Sequence, residues 1–172
     1  MNQALLLAQL PGLRRYARAL TGDLWAADDL VQDTLERACA KWTLWRVGSD
    51  LRAWLFTLMH NLYLNQRRSA PAASARVDLA DVEDDLPGET TPADVGLDLD
   101  RCLQRLPHDQ RAVLLLVALE DMSYQQVATV LSVPVGTVMS RLSRARSRLR
   151  ELMDGAEAAM AAPRPVPLRR LK

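Results

Sequence analysis

Between Ser123 and Glu151 the chain reads SYQQVATVLSVPVGTVMSRLSRARSRLRE, two short helical patterns that meet at a tight turn. Ser123 and Gln126 stand at capping-box spacing, so the hydroxyl accepts the Gln126 amide while the Gln126 side chain returns to the Ser123 amide. Val127, Val130 and Leu131 then form the inward face of the first helix. The break falls at Ser132-Val133-Pro134, because proline cannot continue a helix yet suits the first turn of a new one. From there Val138, Leu142, Ala145, Leu149 and Leu152 recur at steps of four, three, four and three, an amphipathic stripe. A capped short helix, a proline-containing turn and a second amphipathic helix together have the pattern of a helix-turn-helix.

Arg141, Arg144, Arg146, Arg148 and Arg150 flank that stripe with no acid among them. A solvated basic helix in an ordinary bundle would also account for a run of arginines. The turn favours duplex DNA instead: in such motifs the second helix puts its N-terminal end into the major groove, and here its first residues off the stripe are Gly136, Thr137, Met139 and Ser140. Gly136 and Thr137 let a phosphate approach the helix N-terminus.

The formal charge of +1 hides a segregated pattern. Residues 1–68 carry nine basic and six acidic groups, 69–96 one and seven, 97–121 three and five, and 122–172 nine and three. Concentrated cations at the C-terminal end remain compatible with nucleic acid despite the near-zero total. The 69–96 stretch, rich in Ala, Pro, Ser and acids without a helical period, reads as a flexible acidic linker. It is either an inert tether or a segment kept off DNA that threads near a cationic channel of a partner. The expected architecture is therefore all-α: an N-terminal helical domain over 1–68, the linker over 69–96, a helix-turn-helix domain over 97–155 and a basic tail over 156–172. Cys39 and Cys102 lie far apart with no CxxC, and His60 and His108 are isolated, so no disulfide frame or metal site is indicated. No leader pattern or membrane-spanning run is present, which points to a cytoplasmic protein without membrane insertion. No pair of catalytic-type residues recurs with a plausible site geometry, so neither an enzyme nor a cofactor nor a small-molecule substrate is expected.

The N-terminal half predicts three helices. Leu5, Leu6, Leu10, Leu13, Tyr16, Ala17 and Leu20 form a face of the first, with Pro11 starting its second part and Thr21-Gly22-Asp23 ending it. A second, from about Trp25 to Lys41, buries Leu30, Val31, Leu35 and Ala38 and carries Asp28, Asp29, Gln32, Asp33, Glu36 and Arg37 on its other side. The third buries Leu51, Trp54, Leu55, Leu58 and Leu62, with Met59 at the edge. Its remaining side and end carry Arg52, His60, Asn61, Asn65, Gln66, Arg67 and Arg68. Asparagines one turn apart followed by arginines suit base edges and phosphates, or equally a plain polar surface. The preceding loop, with Trp42, Trp45, Arg46 and Ser49, offers aromatics for stacking on unpaired bases, or plugs for the core.

Four strings in order, LRRYARALTGD at 13–23, ADDLVQDTLERA at 27–38, LRAWLFTLMHNLYLNQRR at 51–68 and PVGTVMSRLSRAR at 134–146, make the chain resemble the extracytoplasmic-function sigma factors, bacterial RNA polymerase specificity subunits. LPHDQRAVLLLVALEDMSYQQVA at 106–128 extends the last match. The resemblance implies that Asp29, Gln32, Asp33, Glu36 and Arg37 dock on the beta-prime clamp helices of core polymerase, with the beta flap as a second contact. It implies that Asn61 and Asn65, with Arg52, Arg67 and Arg68, read the minus-ten region, and that the loop carrying Trp45, Arg46 and Ser49 receives one extruded base. It implies that Met139, Ser140, Ser143 and Arg144 face minus-thirty-five bases, and that Gly136, Thr137, Arg141 and Arg146 face backbone. Met139 departs from the polar or cationic side chain common at that place. An anti-sigma factor is expected as a further partner by the same likeness. The alternatives are a stand-alone helix-turn-helix regulator and a sigma-like decoy that binds an anti-sigma factor.

Overall fold

The computed structural model describes residues 3–45, 48–69 and 92–161. These form seven α-helices, α1 (Gln3–Thr21), α2 (Leu24–Ala40), α3 (Leu51–Ser69), α4 (Pro92–Gln104), α5 (His108–Ala118), α6 (Tyr124–Leu131) and α7 (Val135–Ala161), with a 3-10 turn at Trp42–Leu44 after α2. No strand occurs among the described residues. The helix α4 begins within the stretch expected as linker, and α7 runs on past residue 155. Residues 70–91 of the expected linker and 162–172 of the expected tail lie outside the described residues.

The first three helices share one core. Gly22, at φ +73, closes α1 where only glycine adopts the turn cheaply. The next residue starts α2, since the Asp23 carboxylate accepts the Ala26 amide at 2.7 Å. Leu13, Tyr16 and Leu20 from α1, Leu30 and Val31 from α2, and Leu55, Phe56 and Met59 from α3 are all buried. Tyr16 meets Phe56 edge-on with ring centroids 5.3 Å apart.

The structure departs from the sequence expectation on α1 and on α3. Pro11 lies inside a continuous α1 rather than starting a second part, and Leu5 is 43% exposed, outside the core. Met59 is fully buried instead of lining an edge, and His60 is buried as well, whereas Leu51, Trp54, Leu58 and Leu62 are only half-buried. The cause is that α3 packs on both sides, against α2 and against α6, so its buried arc is wider and rotated relative to a helix with one covered face.

In the C-terminal half the expected stripe is observed: Val138, Leu142, Ala145 and Leu152 are buried and Leu149 half-buried. They pack with Val127 and Val130 of α6 and the almost wholly buried run Ala112–Leu116 of α5. The two halves pack together through α1 on α4 and α5 and through α3 on α6. Arg111 is central to that contact. Its buried guanidinium donates to the Leu20 carbonyl at 2.8 Å, to the Gln104 carbonyl at 2.7 Å, to the Leu106 carbonyl at 3.1 Å and to the Gln104 side chain. A single cation thus satisfies carbonyls at the C-terminal ends of α1 and α4, groups that have no intrahelical partner and favour positive charge.

Candidate nucleic-acid and polymerase interfaces

The helix-turn-helix is built as its local signals dictate. The Ser123 hydroxyl accepts the Gln126 amide at 3.3 Å and the Gln126 carboxamide oxygen accepts the Ser123 amide at 3.0 Å, completing the capping box. At the far end of α6, Ser132 adopts the left-handed conformation (φ 54, ψ 45). The Val133 amide donates to the Ala128 carbonyl at 3.0 Å and the Ser132 amide to the Thr129 carbonyl at 3.2 Å, the paired bonds of a Schellman stop. The Pro134 carbonyl then accepts the Thr137 and Val138 amides at 2.9 and 3.2 Å, so α7 opens directly after a residue whose missing N–H is not needed.

This turn presents the start of α7 to the outside. Gly136, Met139, Ser140, Ser143, Arg144 and Arg146 are exposed, and Thr137 is half-exposed. A Cβ on Gly136 would meet nothing within 4 Å, so no packing within the chain demands glycine there, and a bare helix start is left open to an approaching backbone. Met139, 51% exposed, borders a concavity of about 290 Å³ shared with Tyr124, Arg146 and Arg150. Arg141 differs from its neighbours: half-buried, it pairs with Asp109 of α5 at 3.2 Å. Arg148 pairs with Glu151 at 3.2 Å on the open surface.

On α3 the structure separates residues that share a helix. Asn61, Asn65, Arg67 and Arg68 are exposed near the C-terminal end, with the Arg67 guanidinium 5.7 Å from the centre of the Tyr63 ring. Arg52, near the N-terminal end, is half-buried. Its guanidinium lies 5.7 Å from the Phe56 ring and donates at 2.7 Å to both the carboxylate and the carbonyl of Glu120, which follows α5. His60 faces the other domain, where burial, with the positive charge of His108 and Arg141 nearby, pushes its pKa down to about 4.

In the loop before α3, Trp42 and Trp45 pack on each other with centroids 5.1 Å apart, and Trp42 meets Trp54 edge-on at 6.4 Å. Both loop tryptophans are half-buried, while Leu44 is 69% exposed. Ser49 is exposed, and Arg46 lies outside the described residues.

Along α2, Asp29, Gln32, Glu36 and Arg37 are exposed, and Gln32 donates to Glu36 at 3.0 Å. Asp33 is half-buried and accepts from Gln66 of α3 at 3.1 Å, which ties the acidic face to the end of the asparagine-bearing helix. Trp25 is a residue that the sequence reading passed over as a mere helix start. It is 82% exposed, beside Leu24 at 53%. The available signal was its position four residues before Asp29 and eight before Asp33, on the acidic side of the helix and off the Leu30–Val31 stripe.

Comparison with known proteins places these surfaces in context. Residues 6–60 match the Sigma2 domain of PhyR, and residues 96–149 match Sigma-70, region 4. The chain is 40% identical over 156 residues to the ECF RNA polymerase sigma factor EcfG of Rhodopseudomonas palustris (strain TIE-1), covering 88% of this chain and 86% of that protein. It is also 40% identical over 147 residues to the ECF RNA polymerase sigma factor SigL of Mycobacterium tuberculosis, covering 80% of each. Among solved structures it is similar to the sigma factor RpoE of Bartonella quintana in complex with the anti-sigma factor NepR. That match has a TM-score of 0.73 and 36% identity and covers 88% of this chain and 96% of that one. CnrH in complex with the cytosolic domain of CnrY matches with a TM-score of 0.67 and 26% identity, over 89% of this chain and 87% of that one. A helix-turn-helix with a capped first helix, a helix ending in asparagines and arginines, and an acid-rich helix face thus lie on a chain that belongs to the extracytoplasmic-function family of RNA polymerase sigma factors.

Proposed function

We propose that this chain binds core RNA polymerase and directs it to a two-part promoter, performing no chemistry of its own. The observation that carries this reading is the exposure of three separate polar faces: the acidic side of α2, the Asn61–Arg68 end of α3 and the start of α7. In this scheme Asp29, Gln32, Glu36 and Arg37 grip the beta-prime clamp helices in the cytoplasm, with Asp33 at the edge of that surface and the beta flap holding the C-terminal domain. Trp25 extends the grip, because a large exposed aromatic beside a charged face is a common anchor of protein interfaces.

Asn61, Asn65, Arg67 and Arg68 then contact the minus-ten strand, with Arg52 joining them once it is free of Glu120. The loop carrying Trp45, Arg46 and Ser49 receives an unpaired base, so that the melted state gains contacts a closed duplex lacks. Gly136, Thr137, Arg141 and Arg146 hold minus-thirty-five phosphates while Met139, Ser140, Ser143 and Arg144 face bases. Met139 offers apolar contact, which suits a thymine methyl better than a hydrogen-bonding base edge. Tethering two moderate DNA contacts raises their joint selectivity through effective concentration. An anti-sigma factor is the expected inhibitor, by analogy with the complexes formed by the two similar structures.

Run-off transcription with purified core polymerase on a genomic fragment library tests this directly. Discrete transcripts that depend on the chain are expected. Absence of both core association and any template-specific start refutes the reading.

A further inference from the structure

The outer surface of the helix-turn-helix is polar and cationic apart from one spot. Between residues 106 and 155 two large apolar side chains are exposed, Tyr124 and Met139. They belong to different helices, the first residue of α6 and the second turn of α7, yet both line the same concavity of about 290 Å³. Leu142 adds a further apolar side chain to that lining, and Ser143, Arg146 and Arg150 bring polar and cationic atoms to it.

On the major-groove edge of DNA the bases present hydrogen-bonding groups with one exception, the C5 methyl of thymine. A cytosine methylated at C5 presents the same group. Met139 is the longest side chain free to reach that edge from the first two turns of α7. Gly136, Thr137 and Ser140 are short, and Arg141 is held by Asp109 at 3.2 Å. A thioether donates nothing and accepts only weakly, so a purine edge set against it leaves polar groups of the base unpaired, at a cost in free energy. Its flexible chain and polarizable sulfur suit contact with a methyl. The same thioether is indifferent to the group at C4, the keto oxygen of thymine or the amino group of cytosine. The neighbouring Ser140 does not restore a preference for thymine. Its hydroxyl donates to the Thr137 carbonyl at 3.1 Å, so the lone pairs it turns outward accept from an amino group.

We infer that Met139 makes the minus-thirty-five contact a reader of C5-methyl pyrimidines that takes 5-methylcytosine in place of thymine, so that cytosine methylation at one base pair strengthens promoter binding. The inference rests on the promoter-directing function above and adds to it the chemical group recognised and a modified base as ligand. In this arrangement the methyl lies against the Met139 side of the concavity, Tyr124 and Leu142 shield it from water, and Arg146 and Arg150 meet the strand that carries it.

The test is selection from a random duplex library by the full chain, alone at low salt and with core polymerase, followed by anisotropy titration of the selected duplex with single-position changes. Uracil in place of each thymine removes only the methyl, and 5-methylcytosine in place of cytosine at the same position adds only the methyl. One position is expected at which uracil weakens wild-type binding about fourfold and 5-methylcytosine binds about fourfold tighter than cytosine, the worth of one buried methyl-sized group. Met139→Leu, still apolar, is expected to keep both differences. Met139→Ala is expected to erase them with an unchanged urea midpoint, since the side chain is exposed. Methyl effects that are equal in wild type and Met139→Ala overturn the inference, as does a chain that selects no sequence in either setting. A uracil penalty without a gain from 5-methylcytosine reduces Met139 to a thymine contact and overturns the modified-base reading. Selection by the chain alone involves no polymerase, so a Met139-dependent methyl preference in a chain that directs no transcription refutes the sigma function and leaves the methyl reader standing. Transcription from a promoter with no methyl-sensitive position does the reverse.

Discussion

His60 makes a pH-dependent stability that can be calculated in advance. The imidazole is 6% exposed, its Nδ1 has no hydrogen-bond partner, and His108 and Arg141 bring positive charge toward it, with Asp109 already paired to Arg141. Burial, the largest cause, and those neighbours lower its pKa from 6.5 to about 4. Because the folded value is depressed, the unfolded chain binds the proton more tightly between these limits. The stabilisation is fully present above about pH 6.5 and is lost as pH falls toward 4. At about 1.4 kcal/mol per pKa unit, the loss at pH 5 is on the order of 2 kcal/mol. His108 shifts in the same direction, chiefly by burial, and adds to the slope. Asp50 is held below the ordinary carboxylate range, chiefly by the Ala53 amide, so its loss begins at lower pH. Urea denaturation of wild type and His60→Leu at about pH 7.5 and about pH 5 isolates the His60 share. The variant is expected to match or exceed wild-type stability at the higher pH, since leucine leaves no buried polar atom unpaired. It should also lose most of the pH dependence. An unchanged pH slope in His60→Leu refutes the reasoning.

Arg146→Ala should weaken duplex binding uniformly across sequences and reduce the salt slope of log K by about 1, as expected for a phosphate contact, whereas Arg144→Ala should cost ~1–3 kcal/mol and relax preference at one position. Fluorescence anisotropy across a salt series distinguishes the two, and identical behaviour would remove the base-reading role from Arg144. Trp25→Ala should leave melting temperature unchanged, because the ring is 82% exposed, while it weakens association with core polymerase by ~2 kcal/mol, readable by size-exclusion binding assays. Asp33→Arg should abolish that association; full retention would move the docking surface elsewhere. Ser123→Ala removes the cap of α6 and should lower stability by ~1 kcal/mol in the same urea assay.

Much of the architecture is legible in sequence because its signals are local. The capping box at Ser123 and Gln126, the stop at Ser132-Val133-Pro134 and the four-three stripe of α7 each act within one or two helical turns, and each appears in the structure as expected. The exposure of Asn61 and Asn65 and of the acidic side of α2 likewise follows from helical period. What resisted reading depends on contacts between distant residues. Glu120 meets Arg52 across 68 positions and Arg15 across 105, and no pattern around a single glutamate after an apolar helix announces a buried charge. His60 and Met59 were misplaced for the same reason: a period identifies one buried face, whereas α3 acquires a second from α6. The tryptophans of the 42–45 loop, offered as stacking platforms or plugs, are half-buried against each other, with Trp42 also against Trp54.

Gln126 illustrates how one amide can answer to two neighbours. Its oxygen closes the box with the Ser123 amide at 3.0 Å, while its nitrogen reaches Asp50 at 2.7 Å. Glutamate would serve the first task equally well, and capping boxes accept either residue. Only the second task discriminates, because an acid there would set two carboxylates face to face. Exchange of a single NH₂ for an oxygen would therefore leave the start of α6 intact and turn the meeting of the two halves from attraction to repulsion, a tuning point for drift or design that neither helix on its own would betray.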